Sequence, residues 1–193
     1  MSITYRVGNG LYINMTNRCS NDCSFCVRNF CDSVGDVDSL WLEREPSREE
    51  IINEIKGRDL SQFNEIVFCG FGEPTERLDD LLWLCGQIKK ICDLPIRVNT
   101  NGLASLIAGY DTTPLFMGLV DRMNISLNAA DAEAYYELCN PDFGIKAYEG
   151  MLDFVRNVIN YVPEVVLSAV RGTTDIDACR KIAEDMGLTL RIR

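Results

Sequence analysis

The strongest constraint on the fold is a repeated alternation of short β-branched runs with amphipathic helical segments. Such alternation is typical of βα units on a parallel sheet. Six units can be counted, with strands predicted over residues 11–16, 65–70, 96–99, 122–127, 165–170 and 188–192. Six units with right-handed crossovers fall short of the eight that close a barrel. We therefore expect an α/β fold, an open partial (βα)6 TIM-like barrel with a parallel sheet, as a single domain over residues 1–193.

Helix-end signals support this division of the chain. Ser47 and Glu50 have the spacing of a capping box, which predicts a helix starting after Ser47. Asp175 and Gly187 are suited to begin and end a helix over residues 176–186. These signals place polar turns between the predicted strands and helices.

Composition limits the functional classes. The chain has 47% hydrophobic and 25% charged residues, as expected of a globular protein, and no apolar run long enough to cross a bilayer. A formal net charge of −10 disfavours binding to nucleic-acid polymers, which depends on Lys and Arg. The nine cysteines are an odd number, and residues 1–20 do not read as a signal peptide. We expect a cytoplasmic protein.

Three cysteines form the main chemical motif. Cys19, Cys23 and Cys26 lie within eight residues, and the chain contains no histidine. Structural zinc sites have four ligands, so three thiolates favour a 4Fe-4S cluster with one iron left open. A half zinc knuckle or ordinary buried thiols are less favoured alternatives. Cys31 as a fourth ligand would instead make a closed cluster, in a non-catalytic electron-transfer or sensing module.

At this spacing, with the aromatic Phe25 before the third cysteine, the motif resembles that of the radical S-adenosylmethionine (radical SAM) superfamily. The resemblance implies that Cys19, Cys23 and Cys26 hold the cluster and that the open iron binds SAM. It also implies that reductive cleavage of SAM yields a 5′-deoxyadenosyl radical, which removes a hydrogen atom from a substrate. Reduced flavodoxin or ferredoxin is the expected electron donor.

A second segment resembles the Gly-Gly-Glu-Pro motif of the same superfamily. It runs from Gly70 through Gly72, Glu73 and Pro74, with Phe71 in the place of the second glycine. The resemblance implies that this segment binds the ammonium group of SAM. A plain strand-to-helix turn remains the alternative.

Amide and hydroxyl side chains follow the next two strands. Asn99 and Asn101 end the third strand, and Ser126 and Asn128 end the fourth. Ligands of such sheets bind at the carboxyl ends of the strands, and the resemblance implies contacts with the ribose and carboxylate of SAM. Turn capping is an open alternative. Asn101 and Gly102 form a hairpin signal, but residues 103–108 lack strand alternation, so we expect a helix there.

A closer resemblance is to the small TatD-associated (TatD-linked) radical SAM proteins. It is carried by Arg97–Leu103, Ile125–Ala129, Leu138–Pro141 and Val162–Leu167. It implies a link to a TatD-type hydrolase and leaves the substrate open: a small molecule, a nucleoside, a peptide or a glycine of a partner protein. No catalytic side chain beyond the cofactor site is predicted. We expect residues 1–193 to be a single radical SAM core domain without an auxiliary-cluster extension.

The remaining cysteines are assigned mainly to packing. Cys69, Cys85, Cys92 and Cys179 fall on apolar faces of predicted elements, where free cysteine behaves as a small hydrophobic residue. Cys139, beside an Asn-Pro pair, is the better functional candidate.

Overall fold

The computed structural model describes residues 2–193 and contains one open seven-stranded sheet whose strands lie side by side in chain order. The strands are β1 Thr4–Val7, β2 Gly10–Ile13, β3 Glu65–Phe68, β4 Ile96–Thr100, β5 Arg122–Ser126, β6 Glu164–Ala169 and β7 Thr189–Ile192. Strands β2 to β7 pair in parallel. They correspond to the six predicted strands, and the open partial-barrel prediction is confirmed.

One strand was missed by the sequence reasoning. Strand β1 pairs antiparallel with β2, with Val7 opposite Gly10, so the sheet is not wholly parallel. The two strands are joined by Gly8 and Asn9, and Gly8 has a φ of 59°. A Gly-Asn pair is a recognised hairpin signal, but the flanking run is only four residues long.

Six helices connect the strands. They are α1 Arg48–Lys56, α2 Leu78–Ile88, α3 Ala104–Ala108, α4 Ala132–Cys139, α5 Lys146–Val158 and α6 Ile176–Asp185. The capping box at α1 is present in full, and the Asp175 side chain accepts from two backbone amides at the start of α6. Gly102 leads into α3 and not into a hairpin, as predicted.

The two faces of the sheet differ in chemistry. One face packs against the helices through buried Leu11, Ile13, Ile66, Phe68, Ile96, Val98, Met123, Ile125, Val165 and Leu167. Truncation of one such core side chain to alanine costs about 2–5 kcal/mol. The other face carries Tyr12, Arg97, Asn99, Asn124, Ser126, Ser168 and Arg191. Because successive side chains of a strand alternate between faces, the same strands build an apolar core and a polar barrel interior.

Over residues 2–193, none of the helices combines the length and the apolar character required to cross a bilayer.

Candidate cofactor site

A cavity of about 280 Å³ lies at the carboxyl ends of the central strands. Every predicted site residue except Pro74 lines it: Cys19, Cys23, Phe25, Cys26, Gly70, Gly72, Glu73, Asn99, Asn101, Ser126 and Asn128. Its wall also contains residues that were not predicted for the site: Asn21, Val27, Cys69, Phe71, Thr100, Val170 and Arg193. The fold therefore brings the two motifs and the later polar residues to one place.

The loop that carries the three cysteines is fixed to the end of α4. The amide of Asp22 donates to the Cys139 carbonyl oxygen at 3.0 Å, and the amide of Ser24 donates to that of Leu138 at 3.1 Å. The last carbonyl groups of a helix have no partner within the helix. The cysteine loop satisfies these two, which explains why the Leu138–Pro141 segment lies beside the site.

The three thiols lie along the cavity wall in different environments. Burial, together with the nearby Glu73, raises the pKa of Cys19 to about 12. Interaction with the neighbouring Cys139 thiol, together with burial, raises the pKa of Cys23. The same interaction lowers the pKa of Cys139, against the effect of burial. Cys26 precedes a short 3-10 helix, Val27–Asn29.

In the part of the chain that is described, no three His, Cys, Asp or Glu side chains converge as a ready-made metal site. The donor chemistry nevertheless fits an iron-sulfur cluster, because three thiols of one loop border the same cavity.

A buried acceptor supports a nitrogen-bearing ligand in the cavity. Asn21 is 4% exposed, and its amide nitrogen donates to the Tyr135 hydroxyl at 3.1 Å. Its Oδ1 atom has no hydrogen-bond partner among residues 2–193. A buried acceptor without a partner costs about 1–3 kcal/mol, so a ligand that donates to Asn21 would remove that cost. The ammonium group of SAM is such a donor.

The glycines of the second motif are required by packing. A Cβ atom on Gly70 would lie 2.1 Å from Asn14 Oδ1, and one on Gly72 would lie 2.3 Å from the Thr16 carbonyl oxygen. Both distances are far below van der Waals contact. The turn after β3 therefore packs closely against the segment that leads into the cysteine loop. The close approach that the two glycines allow is to this other part of the protein chain.

Glu73 joins several parts of the site. It is 4% exposed, and its carboxylate accepts from the amide and hydroxyl of Thr75, the hydroxyl of Thr100 and the amide of Asn101. Burial raises the pKa of Glu73, and these hydrogen bonds oppose the shift. Pro74 is buried at the start of a 3-10 helix, outside the cavity wall.

The two asparagines after β4 differ in their contacts. Asn101 Nδ2 donates to Ser20 Oγ at 3.0 Å, and its Oδ1 accepts from the Leu103 amide, so Asn101 links the cysteine loop to the start of α3. Asn99 Oδ1 accepts from Arg97 at 2.8 Å.

Arg193 contacts two residues at the carboxyl end of β5. Its Nη2 atom donates to Ser126 Oγ at 3.2 Å and to Asn128 Oδ1 at 3.4 Å. Asn128 has a left-handed backbone with a φ of 59° and is 2% exposed. Desolvation of the guanidinium lowers the pKa of Arg193. The alternation of Arg191 and Arg193 with apolar residues at the end of the chain is a signal from which this inward position could have been predicted.

One cysteine prediction needs correction. Cys85 and Cys179 are buried, and Cys92 packs against the core, as expected. Cys69, which was predicted to pack in the core, lines the cavity. Strand β3 buries Phe68 on its helix face, so the next residue faces the opposite side. Cys31 is exposed and donates to the Val27 carbonyl oxygen, an arrangement that gives no support to a fourth cluster ligand.

Comparison with known proteins identifies the family. The profile of the Radical SAM superfamily matches residues 13–184. The chain belongs to the radical SAM superfamily. This family of enzymes uses a 4Fe-4S cluster and SAM.

Individual relatives of this radical SAM chain are distant. A probable GTP 3′,8-cyclase of Thermococcus kodakarensis is 26% identical over 86% of this chain and 49% of its own length. A protein named GTPase Obg, of Brachyspira hyodysenteriae, is 30% identical over 80% of this chain and 22% of its own length. The crystal structure of methylornithine synthase covers 97% of this chain and 53% of that one, at 18% identity and a TM-score of 0.65. The chain thus spans half or less of these two curated relatives.

Proposed function

We propose that this chain is a radical SAM enzyme whose cluster is held by Cys19, Cys23 and Cys26. When bound, the reduced cluster and SAM supply a 5′-deoxyadenosyl radical, which abstracts a hydrogen atom from the substrate. The observation that carries the proposal is the convergence of the cysteine loop, the Gly70–Pro74 turn and the polar residues after β4 and β5 around one cavity.

The side chains of the cavity divide into binding and positioning groups. Asn21 Oδ1 is buried without a hydrogen-bond partner among residues 2–193, and we assign it to accept from an ammonium group. Ser126 and Asn128 also line the cavity, and each accepts a hydrogen bond from Arg193. Glu73 and Asn101 already use their side chains within the protein, so they hold the turns in place. This division assigns SAM orientation to Asn21, Ser126 and Asn128, and loop geometry to Glu73 and Asn101.

The substrate class stays broad in this proposal: a small molecule, a nucleoside, a peptide or a glycine of a partner protein. The name of the Thermococcus relative makes GTP a nucleotide to test first among them. The motifs Arg97–Leu103 and Leu138–Pro141 favour the TatD-associated group, and with it a link to a TatD-type hydrolase. Electrons would come from reduced flavodoxin or ferredoxin in a reducing cytoplasm.

The test is formation of 5′-deoxyadenosine. Protein reconstituted anaerobically with iron and sulfide is reduced with dithionite in the presence of SAM, and the products are separated by chromatography. Cys23→Ala is expected to abolish the product because it removes a proposed ligand. Cys92→Ala, a change at a half-buried packing cysteine, serves as the matched control and should retain it. A reduced four-iron cluster that leaves SAM intact would contradict the proposal.

A further inference from the structure

The interior face of the sheet carries a row of polar side chains in register. Asn99 of β4 lies opposite Asn124 of β5. One step further along the strands, Ser126 lies opposite Ser168 of β6, which lies opposite Arg191 of β7. A sheet face that packs against protein is normally apolar. This face is therefore built to contact water or a polar ligand.

These side chains enclose a second cavity of about 190 Å³. Asn99, Ser126 and Arg193 line both this cavity and the cofactor cavity, so the two adjoin. Pockets that hold whole drug-sized ligands measure about 300–1,000 Å³. The second cavity is thus sized for one polar group of a ligand whose remainder extends towards the cofactor cavity.

The charges of this second cavity are unbalanced. Arg97 is already satisfied, because it forms two hydrogen bonds with Glu65, at 2.8 and 3.1 Å, and further ones with Asn99 and the Tyr12 hydroxyl. Arg191 and Arg193 differ, since neither forms a salt bridge with an Asp or Glu side chain in the range 2–193. The guanidinium of Arg193 meets only neutral oxygen atoms of Ser126 and Asn128.

Two unpaired guanidinium groups are notable in a chain with a net charge of −10. Arginine presents a planar fork of donors that matches carboxylate and phosphate oxygens. Because Arg191 and Arg193 are two residues apart at the end of a strand, their side chains project from the same face of the sheet. Desolvation, together with the charge of the neighbouring Arg191, lowers the pKa of Arg193.

We propose that Arg191 and Arg193 bind the carboxylate or phosphate group of a small acidic substrate in this second cavity. The inference rests on the proposed function, because the bound anion would hold the rest of the substrate beside the SAM cavity. Ser126, Ser168 and Asn124 would supply neutral hydrogen bonds around the same group.

The test is calorimetric titration of the anaerobic, cluster-loaded protein with sodium phosphate and, separately, with sodium glutarate. Sodium chloride at matched ionic strength corrects for general screening. The two titrants distinguish a phosphate site from a carboxylate site. The variants are Arg191→Gln, which removes the charge, and Arg191→Lys, which keeps the charge without the planar fork. Arg180→Gln removes a charge from an exposed position on α6 and is the matched control.

We expect one of the two anions to bind with a dissociation constant that Arg191→Gln raises at least tenfold. Arg191→Lys should raise it less, and Arg180→Gln should leave it within twofold. Because Arg191 is exposed, these variants are expected to fold. The proposal is overturned if neither anion binds more tightly than chloride or if Arg191→Gln binds as wild type does.

The same wild-type preparation is assayed for SAM cleavage, so the two proposals can fail separately. Protein that cleaves SAM but binds neither anion overturns the anion site alone. Protein that binds an anion through Arg191 but leaves SAM intact overturns the proposed function alone.

Discussion

Glu73 accepts a 2.6 Å hydrogen bond from the backbone amide of Asn101. This contact joins the turn after β3 to the turn after β4, and Asn101 in turn contacts Ser20 at the start of the cysteine loop. Three segments that are remote in sequence are thereby held at one edge of the sheet. Glu73 is a positioning residue in this arrangement.

Replacement of this carboxylate by an amide is expected to destabilise the protein. Because all four contacts of Glu73 are donors, the amide nitrogen of Glu73→Gln must face at least one of them. We expect the free energy of unfolding to fall by about 2 kcal/mol, the order of a lost buried hydrogen bond. Chemical denaturation measures it, with Glu137→Gln on the exposed side of α4 as the control. Equal losses in the two variants would exclude a special role for Glu73.

Two glycine substitutions should have opposite effects. Gly72→Ala places a methyl group 2.3 Å and 2.5 Å from the carbonyl oxygens of Thr16 and Arg18, so we expect a loss of about 1–3 kcal/mol, as for overpacking. Gly86 lies in α2 with its nearest neighbour 3.9 Å away, so Gly86→Ala should stabilise by about 0.5–1 kcal/mol.

Thermal unfolding and iron content after reconstitution report the outcome of these glycine changes. Gly72→Ala should lower both the unfolding temperature and the iron content, because the displaced segment carries the cysteine loop. If Gly72→Ala unfolds at the wild-type temperature and takes up iron normally, the packing explanation for this glycine is wrong.

The start of α1 should lose stability in acid. A hydrogen bond with Arg44, aided by the Ser47 amide, lowers the pKa of Glu50 from 4.5 to about 2. A carboxyl group with a lowered pKa stabilises the fold fully above its unfolded value, and this contribution is lost as the pH falls from about 4.5 towards 2. The stability difference between wild type and Glu50→Gln should therefore shrink over this range. Thermal unfolding of the two cluster-free proteins measures this stability difference. A difference that is constant from pH 7 to 3 would contradict a lowered pKa of Glu50.

Local sequence signals were sufficient for most of the fold. The strands β2 to β7 and the ends of α1 and α6 depend on periodicity and on capping residues close in sequence, such as Ser47 with Glu50 and Asp175 with Ala178. Strand β1 was not predicted because a strand of four residues is too short to show a clear alternation of apolar and polar residues.

The site was predictable only in part, because some of its contacts join remote segments. The cysteine and glycine motifs could be located from spacing, and the fold brings them to one cavity. The contact of Cys23 with Cys139 depends on how α4 packs beside the cysteine loop. The inward positions of Cys69 and Arg193 depend on where β3 and β7 end. Tertiary packing decides these features.

We expect three thiolates, those of Cys19, Cys23 and Cys26, to hold a cluster with an open iron. Electron paramagnetic resonance of the dithionite-reduced protein, with and without SAM, tests it most directly in Cys31→Ala and Cys26→Ala. We expect Cys31→Ala to keep a four-iron signal that changes when SAM is added, and Cys26→Ala to lose the signal. Loss of the cluster in Cys31→Ala, or a signal that SAM leaves unchanged, would contradict the account.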